Sequence, residues 1–135
     1  MTHLLDTSAL LAHYLQEPGT ALVQALFEDE TKSTGTSVLV LYEFELRLHL
    51  LGMDASARVE TMNLYRADFE EIIDVNETVR VEAFRLRTNA SARISTVDTL
   101  IAATASLNGA ILVHRDPHFS VIPKSHLKQE ILPAK

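Results

Sequence analysis

The sequence predicts an α/β fold, a central and mostly parallel sheet of four or five strands flanked by helices on both faces. Two observations predict it. Short runs suited to strands alternate with longer stretches of helical period, which makes a parallel sheet covered on both sides the economical arrangement. Strands also lead into residues that cap helices, among them Asp6, Ser37 and Asn76. No repeat, linker or low-complexity tract divides the chain, so residues 1–135 read as one domain.

Thr2–Leu5 is too short for anything but a strand. Thr7–Gln16 follows as a helix with Leu10, Leu11, Tyr14 and Leu15 on one face, stopped by Pro18-Gly19. Thr20–Glu30 is a second helix, and Lys32–Ser37 a second strand leading into a turn. Ser37 caps a very apolar helix, Val38–Leu51, ended by Gly52 and suited to a core or a subunit interface. Asp54 caps a helix through about Ala67, Glu71–Val75 is a third strand, and Asn76 caps a helix reaching about Arg87. After the polar loop Asn89–Ile94, an Ala-rich helix starts at Ser95 or Thr96 and ends at Asn108-Gly109. Ala110–His114 is the fourth strand, Arg115–Phe119 a loop, and Ser120–Ile122 a candidate short edge strand. Lys124, Lys128 and Lys135 read as a mobile basic tail.

At 135 residues, with 47% apolar and 22% charged residues, the chain is long enough to bury a core. No apolar run approaches the roughly 18 residues of a membrane span, and no membrane association is expected. Met1-Thr2-His3 lacks the basic start of a signal peptide. The absence of cysteine excludes disulfides, thiolate zinc sites and a cysteine nucleophile, and fits a cytoplasmic protein. A net charge of −6 argues against a simple electrostatic nucleic-acid binder. The charge is uneven, however: Asp54 to Glu77 holds seven acids and two arginines, whereas Arg80 to Arg93 holds four arginines against Glu82 alone. Those four arginines suit either a solvated helix face or a track for phosphates.

Four acids stand where they can meet. Asp6 lies at the junction of the first strand and first helix, where open α/β sheets bind ligands. Asp116 follows the fourth strand and so shares that edge. Glu43 is one turn into the apolar helix, and Asp98 is in the first turn of the Ala-rich helix. Each also has a bland explanation: Asp6 as a helix cap, Glu43 as the partner of Arg47, Asp98 as part of a capping box, Asp116-Pro117 as a turn. Glu43 weakens its own bland reading, since a carboxylate among Leu41, Tyr42 and Phe44 needs a partner if buried. Chemistry alone does not choose between Glu43 and Glu45.

Four stretches carry these acids in order: Leu4-Leu5-Asp6-Thr7-Ser8-Ala9-Leu10; Ser37 through Tyr42-Glu43-Phe44-Glu45; Thr96-Val97-Asp98-Thr99-Leu100-Ile101-Ala102-Ala103-Thr104-Ala105; and Ile111-Leu112-Val113-His114-Arg115-Asp116-Pro117-His118-Phe119. Together they resemble the PIN-domain family, and within it the VapC-type toxins of bacterial toxin–antitoxin pairs. The resemblance runs from Leu4 to Phe119 and departs at His114, where the family commonly has a threonine. It implies a Mg²⁺- or Mn²⁺-dependent endoribonuclease with one or two ions held by Asp6, Glu43, Asp98 and Asp116. The family's spacing favours Glu43 over Glu45. It also implies an RNA substrate, a VapB-like antitoxin and a homodimer.

The donor types agree with that chemistry, because hard divalent ions prefer carboxylate and water oxygens, and clustered carboxylates need a cation. Thr7 and Ser8 read either as helix-start caps or as hydroxyls that orient a water or a ligand carboxylate. Arg115, beside Asp116, is a candidate phosphate contact, and His114-x-Asp116-x-His118 lacks helical metal-ligand spacing. Two phosphatase-like alternatives fail on residues: Ser8 stands where a haloacid-dehalogenase fold needs a second Asp, and Asn76 where a receiver domain needs a phospho-acceptor. The remaining alternatives are an inactive PIN-like binding module, or a PIN nuclease of RNA processing without an antitoxin.

Overall fold

A computed structural model describes all 135 residues. Strand β1 (His3–Leu5) is followed by α1 (Thr7–Tyr14), α2 (Thr20–Glu28), β2 (Thr34–Ser37), α3 (Val38–Leu50), α4 (Ala55–Asp68) and β3 (Glu71–Ile73). The chain continues through α5 (Glu77–Asn89), α6 (Thr96–Leu107), β4 (Ile111–His114), a 3₁₀ turn at Pro117–Val121 and β5 (Gln129–Ile131). The five strands form one sheet in the order β3-β2-β1-β4-β5, every pair parallel. The expected sheet is therefore present, and it is wholly parallel.

Strand order reverses at β1, which pairs with β2 on one side and with β4 on the other. Right-handed crossovers then put the helices leading to β2 and β3 on one face and those leading to β4 on the other. The packing agrees: α1 lies against α2 and α3, α3 against α4, and α5 against α6. Buried on both faces, β1 is His3-Leu4-Leu5 with no exposed residue. Beneath the first face, Phe44 meets Tyr65 and Tyr14 edge-on, with ring centroids 5.0 and 6.0 Å apart. Its full burial contributes about 1.5–3 kcal/mol.

Two expectations about the C-terminal segment are corrected. Ser120–Ile122 is no edge strand, because Asp116 accepts a hydrogen bond from the His118 N–H (2.9 Å) and Pro117 starts a 3₁₀ turn that buries Phe119. The edge strand lies further on, at Gln129–Ile131, pairing Leu112 to Gln129 and His114 to Ile131. The basic tail is likewise built in rather than loose: Lys128 accepts the Leu112 N–H on its carbonyl, and the Lys135 ammonium lies 2.8 Å from Glu17.

Candidate active site

Where strand order reverses, the loops after β1 and β4 part and leave a crevice at the C-terminal edge of the sheet, the general ligand position of open α/β folds. α3 springs directly from β2 at that edge, capped by the Ser37 hydroxyl, which accepts from the Leu39 N–H at 3.1 Å. α6 runs back toward the start of β4, so its first turn also opens there, capped by Ser95. The result is a cleft of about 390 Å³ whose walls include Asp6, Glu43, Asp98 and Asp116. Glu45 points to solvent, outside the cleft.

Asp6 is the buried member, 4% exposed. Its carboxylate caps α1, accepting from the Ala9 N–H at 2.9 Å, and also accepts from the Ser8 hydroxyl at 2.7 Å. The cap reading is thus correct and does not compete with the cleft. Burial pushes the Asp6 carboxyl up to about 7 against the pull of those two hydrogen bonds, and the charges of Asp116 and Asp98 add to the rise.

The hydroxyls flanking Asp6 hold carboxylates. Thr7 donates to Glu43 at 2.6 Å, which ties α1 to α3 and leaves Arg47 without the ion pair its spacing suggested. Ser8 donates to Asp6 and accepts the Arg115 N–H at 2.8 Å, tying α1 to the end of β4. The cap of α1 is Asp6 itself, so neither hydroxyl is the cap.

His114, in place of a hydroxyl residue, is buried and packs at a tilt of 55° against Phe119, ring centroids 4.7 Å apart. Its Nδ1 accepts the Asp116 N–H at 3.1 Å and its Nε2 lies 2.8 Å from the Gln129 amide oxygen, a pattern that requires a neutral ring with the proton on Nε2. Burial lowers its pKa, in agreement. Asp98 and Asp116 are partly open to solvent, and the exposed His118 ring spans them, with Nδ1 3.0 Å from Asp116 and 3.7 Å from Asp98. One donor atom from each of these three residues lies within 4.8 Å of the others.

The Arg115 guanidinium turns away from the cleft and pairs with Glu17 at 2.6 Å, so the expected phosphate contact is not the one it makes here. Arg80 and Arg85 pair with Glu77 and Glu82 on their own helix, as a solvated face does. The cleft also takes in residues outside the predicted set: Tyr42, 67% exposed, and Arg47 line the wall carrying Glu43, with Leu11, Leu46 and Ile101 beside them. For Tyr42 and Arg47, positions one residue before and one helical turn after Glu43 were the available signal. An all-oxygen carboxylate set, one member buried and reluctant to ionise, suits a hard divalent cation.

A family model described as PIN domain matches residues 3–125. No curated protein is significantly similar in sequence. Among solved structures, VapBC2 of Rickettsia felis bound to a promoter DNA fragment superposes with a TM-score of 0.78 at 22% identity, covering 98% of this chain and 100% of that one. FitAcB of Neisseria gonorrhoeae gives 0.74 at 22% identity, covering 95% and 96%. VapC20 of Mycobacterium tuberculosis, described as a Sarcin–Ricin loop cleaving toxin, gives 0.67 at 19% identity, covering 88% and 93%. With the family's pattern spanning most of its length and the same fold beneath it, the chain belongs to the PIN-domain family.

Proposed function

We propose that the protein is a divalent-metal-dependent endoribonuclease, the cytoplasmic toxin of a VapBC-type pair. One observation carries the reading: four carboxylates from four separate elements line a single cleft at the sheet's switch point, and the innermost is buried. The resemblance of fold to toxin–antitoxin proteins supports the toxin role and an antitoxin partner, and a homodimer is part of the same proposal. No helix is long and apolar enough to cross a membrane.

In this reading Asp6 anchors the principal Mg²⁺ or Mn²⁺, Glu43 and Asp98 complete its protein ligands, and Asp116 serves a second, weaker position. Bound there, the ion supplies charge to activate water and to offset the charge that develops on the phosphate. The chain does the positioning. Ser8 and Thr7 fix the Asp6 and Glu43 oxygens, and the neutral His114 ring fixes the backbone at Asp116. Leu11 and Ile101 give the cleft apolar walls that limit bulk water.

The test is cleavage of a total-RNA pool by antitoxin-free protein with Mg²⁺, Mn²⁺ or EDTA, beside Asp98→Asn. Discrete metal-dependent cuts that vanish in the variant establish the activity. Protein that binds no divalent ion and cuts nothing returns the chain to the inactive-module alternative.

A further inference from the structure

The four-carboxylate cleft has a problem of its own: it must admit a polyanion. One cation lines it. Arg47 sits on α3 one turn after Glu43, its side chain exposed and engaged in no hydrogen bond or ion pair within the chain. The reason is local. Thr7 already holds Glu43, so the pair an i, i+4 spacing would form is not made. On the same helix, Tyr42 and Leu46 project onto the cleft at the same i, i+4 spacing, and both are exposed although bulky and apolar. A solvent-facing tyrosine beside a free guanidinium and a carboxylate cluster is poorly explained by folding, since neither side chain contributes to the core.

We propose that the Tyr42–Leu46–Arg47 face of α3 is the substrate-binding wall, where Arg47 holds a phosphate next to the scissile one and Tyr42 stacks an unpaired base. The inference rests on the nuclease reading and assigns the residues of this chain that receive the RNA. An aromatic ring reaches a base face only when that base is free of a duplex stack, and unstacked bases on aromatic side chains are the usual mode of single-strand recognition. A guanidinium suits the phosphate better than an ammonium, because its planar fork matches two phosphate oxygens. A cleft of about 390 Å³ has room for a splayed nucleotide.

The test measures binding and turnover separately. A short fluorescein-labelled single-stranded RNA of mixed sequence is titrated by anisotropy in Mg²⁺ against Asp98→Asn protein, then against the same protein carrying Arg47→Ala, Arg47→Lys or Tyr42→Ala. Arg47→Ala should weaken binding about tenfold or more and reduce the slope of log K against log salt by about 0.7, the value for one single-strand phosphate contact. Arg47→Lys should restore that slope while recovering only part of the affinity. Tyr42→Ala should weaken binding about tenfold with the salt slope unchanged, as lost stacking does. In the active background both alanine variants should raise KM more than they lower kcat, and the RNA annealed to its complement should compete poorly. Tyr42 and Arg47 are exposed, so melting temperatures unchanged from the parent protein are expected and serve as the folding control. If the wild type cuts RNA and these variants bind, cut and respond to salt as it does, the wall is wrong and the nuclease stands. A self-association change without an RNA effect also overturns it, assigning the face to a protein contact. Wild-type protein that neither binds nor cuts RNA overturns both readings.

Discussion

Replacing Asp6 by Asn should make the metal-free protein more stable. The folded carboxyl ionises near 7, held there chiefly by burial, whereas an unstructured one ionises near 3.8. Between those values the folded state keeps a proton the unfolded state has lost, so the contribution of Asp6 to wild-type stability falls as pH rises through the window and levels off above it. At about 1.4 kcal/mol for each tenfold change in proton affinity, the full difference is at most about 4 kcal/mol. Asn carries no proton to lose, and its amide oxygen can still accept from the Ala9 N–H and the Ser8 hydroxyl. In EDTA the variant should match the wild type near pH 4 and exceed it near pH 8; even half the maximum, about 2 kcal/mol, is roughly 6 °C in Tm for a domain of this size. Calorimetry across that range, with and without Mg²⁺, is the assay. Mg²⁺ should recover the wild type at the alkaline end and do nothing for the variant. An Asn variant less stable than the wild type near pH 8 in EDTA, or a stability difference between the two that does not grow between pH 4 and 7, refutes the reasoning.

Three further outcomes are expected. Thr7→Ala frees Glu43, and calorimetric titration should show Mg²⁺ affinity reduced about tenfold or more, as loss of a ligand-orienting partner does. His114 titrates on the other side of neutrality: burial holds its pKa below 6.5, so the unfolded state gains the proton first and stability falls as pH drops below about 6.5. Denaturant melts in an Asp6→Asn background should show that decline, shallower when His114→Gln is added, with the buried His3 supplying the remainder. Gly19→Ala places a Cβ 3.0 Å from that of Leu132 at a φ of +100°, and urea unfolding should show a loss of more than about 1 kcal/mol.

The sequence disclosed most of the framework because its signals were local. Alternating periods, the caps at Asp6, Ser37, Asn76 and Ser95, and the stop at Gly109 are read within a few residues, and the structure uses each of them. The acids were legible for a different reason: α/β topology brings strand C-termini to one edge, so Asp6 and Asp116 had to be neighbours. What stayed hidden depends on long-range choice among partners. Arg115 had an adjacent aspartate in sequence but found Glu17, 98 residues away. Glu43 had Arg47 a turn away but was claimed by Thr7 across a helix interface. Gln129-Glu130-Ile131 lacks a strongly apolar run, because an edge strand with only its inner residues covered needs none, and so β5 escaped while the residues of a 3₁₀ turn were taken for it.

The pairing of β1 with β4 carries a consequence in time. β1 is complete after a handful of residues have been made, yet the strand that closes its second side, at Ile111–His114, comes among the last parts of the chain to be translated. A nascent chain can hold Asp6 and Glu43 while Asp98 and Asp116 do not yet exist, and even a nearly full-length chain must register β4 against β1 across more than a hundred residues. Order of synthesis thus acts as a delay, and a chain cut short between Glu43 and Asp98 carries two of the four cleft acids and lacks β4. Under the proposed activity, that delay withholds a complete set of site carboxylates until Asp116 has been made.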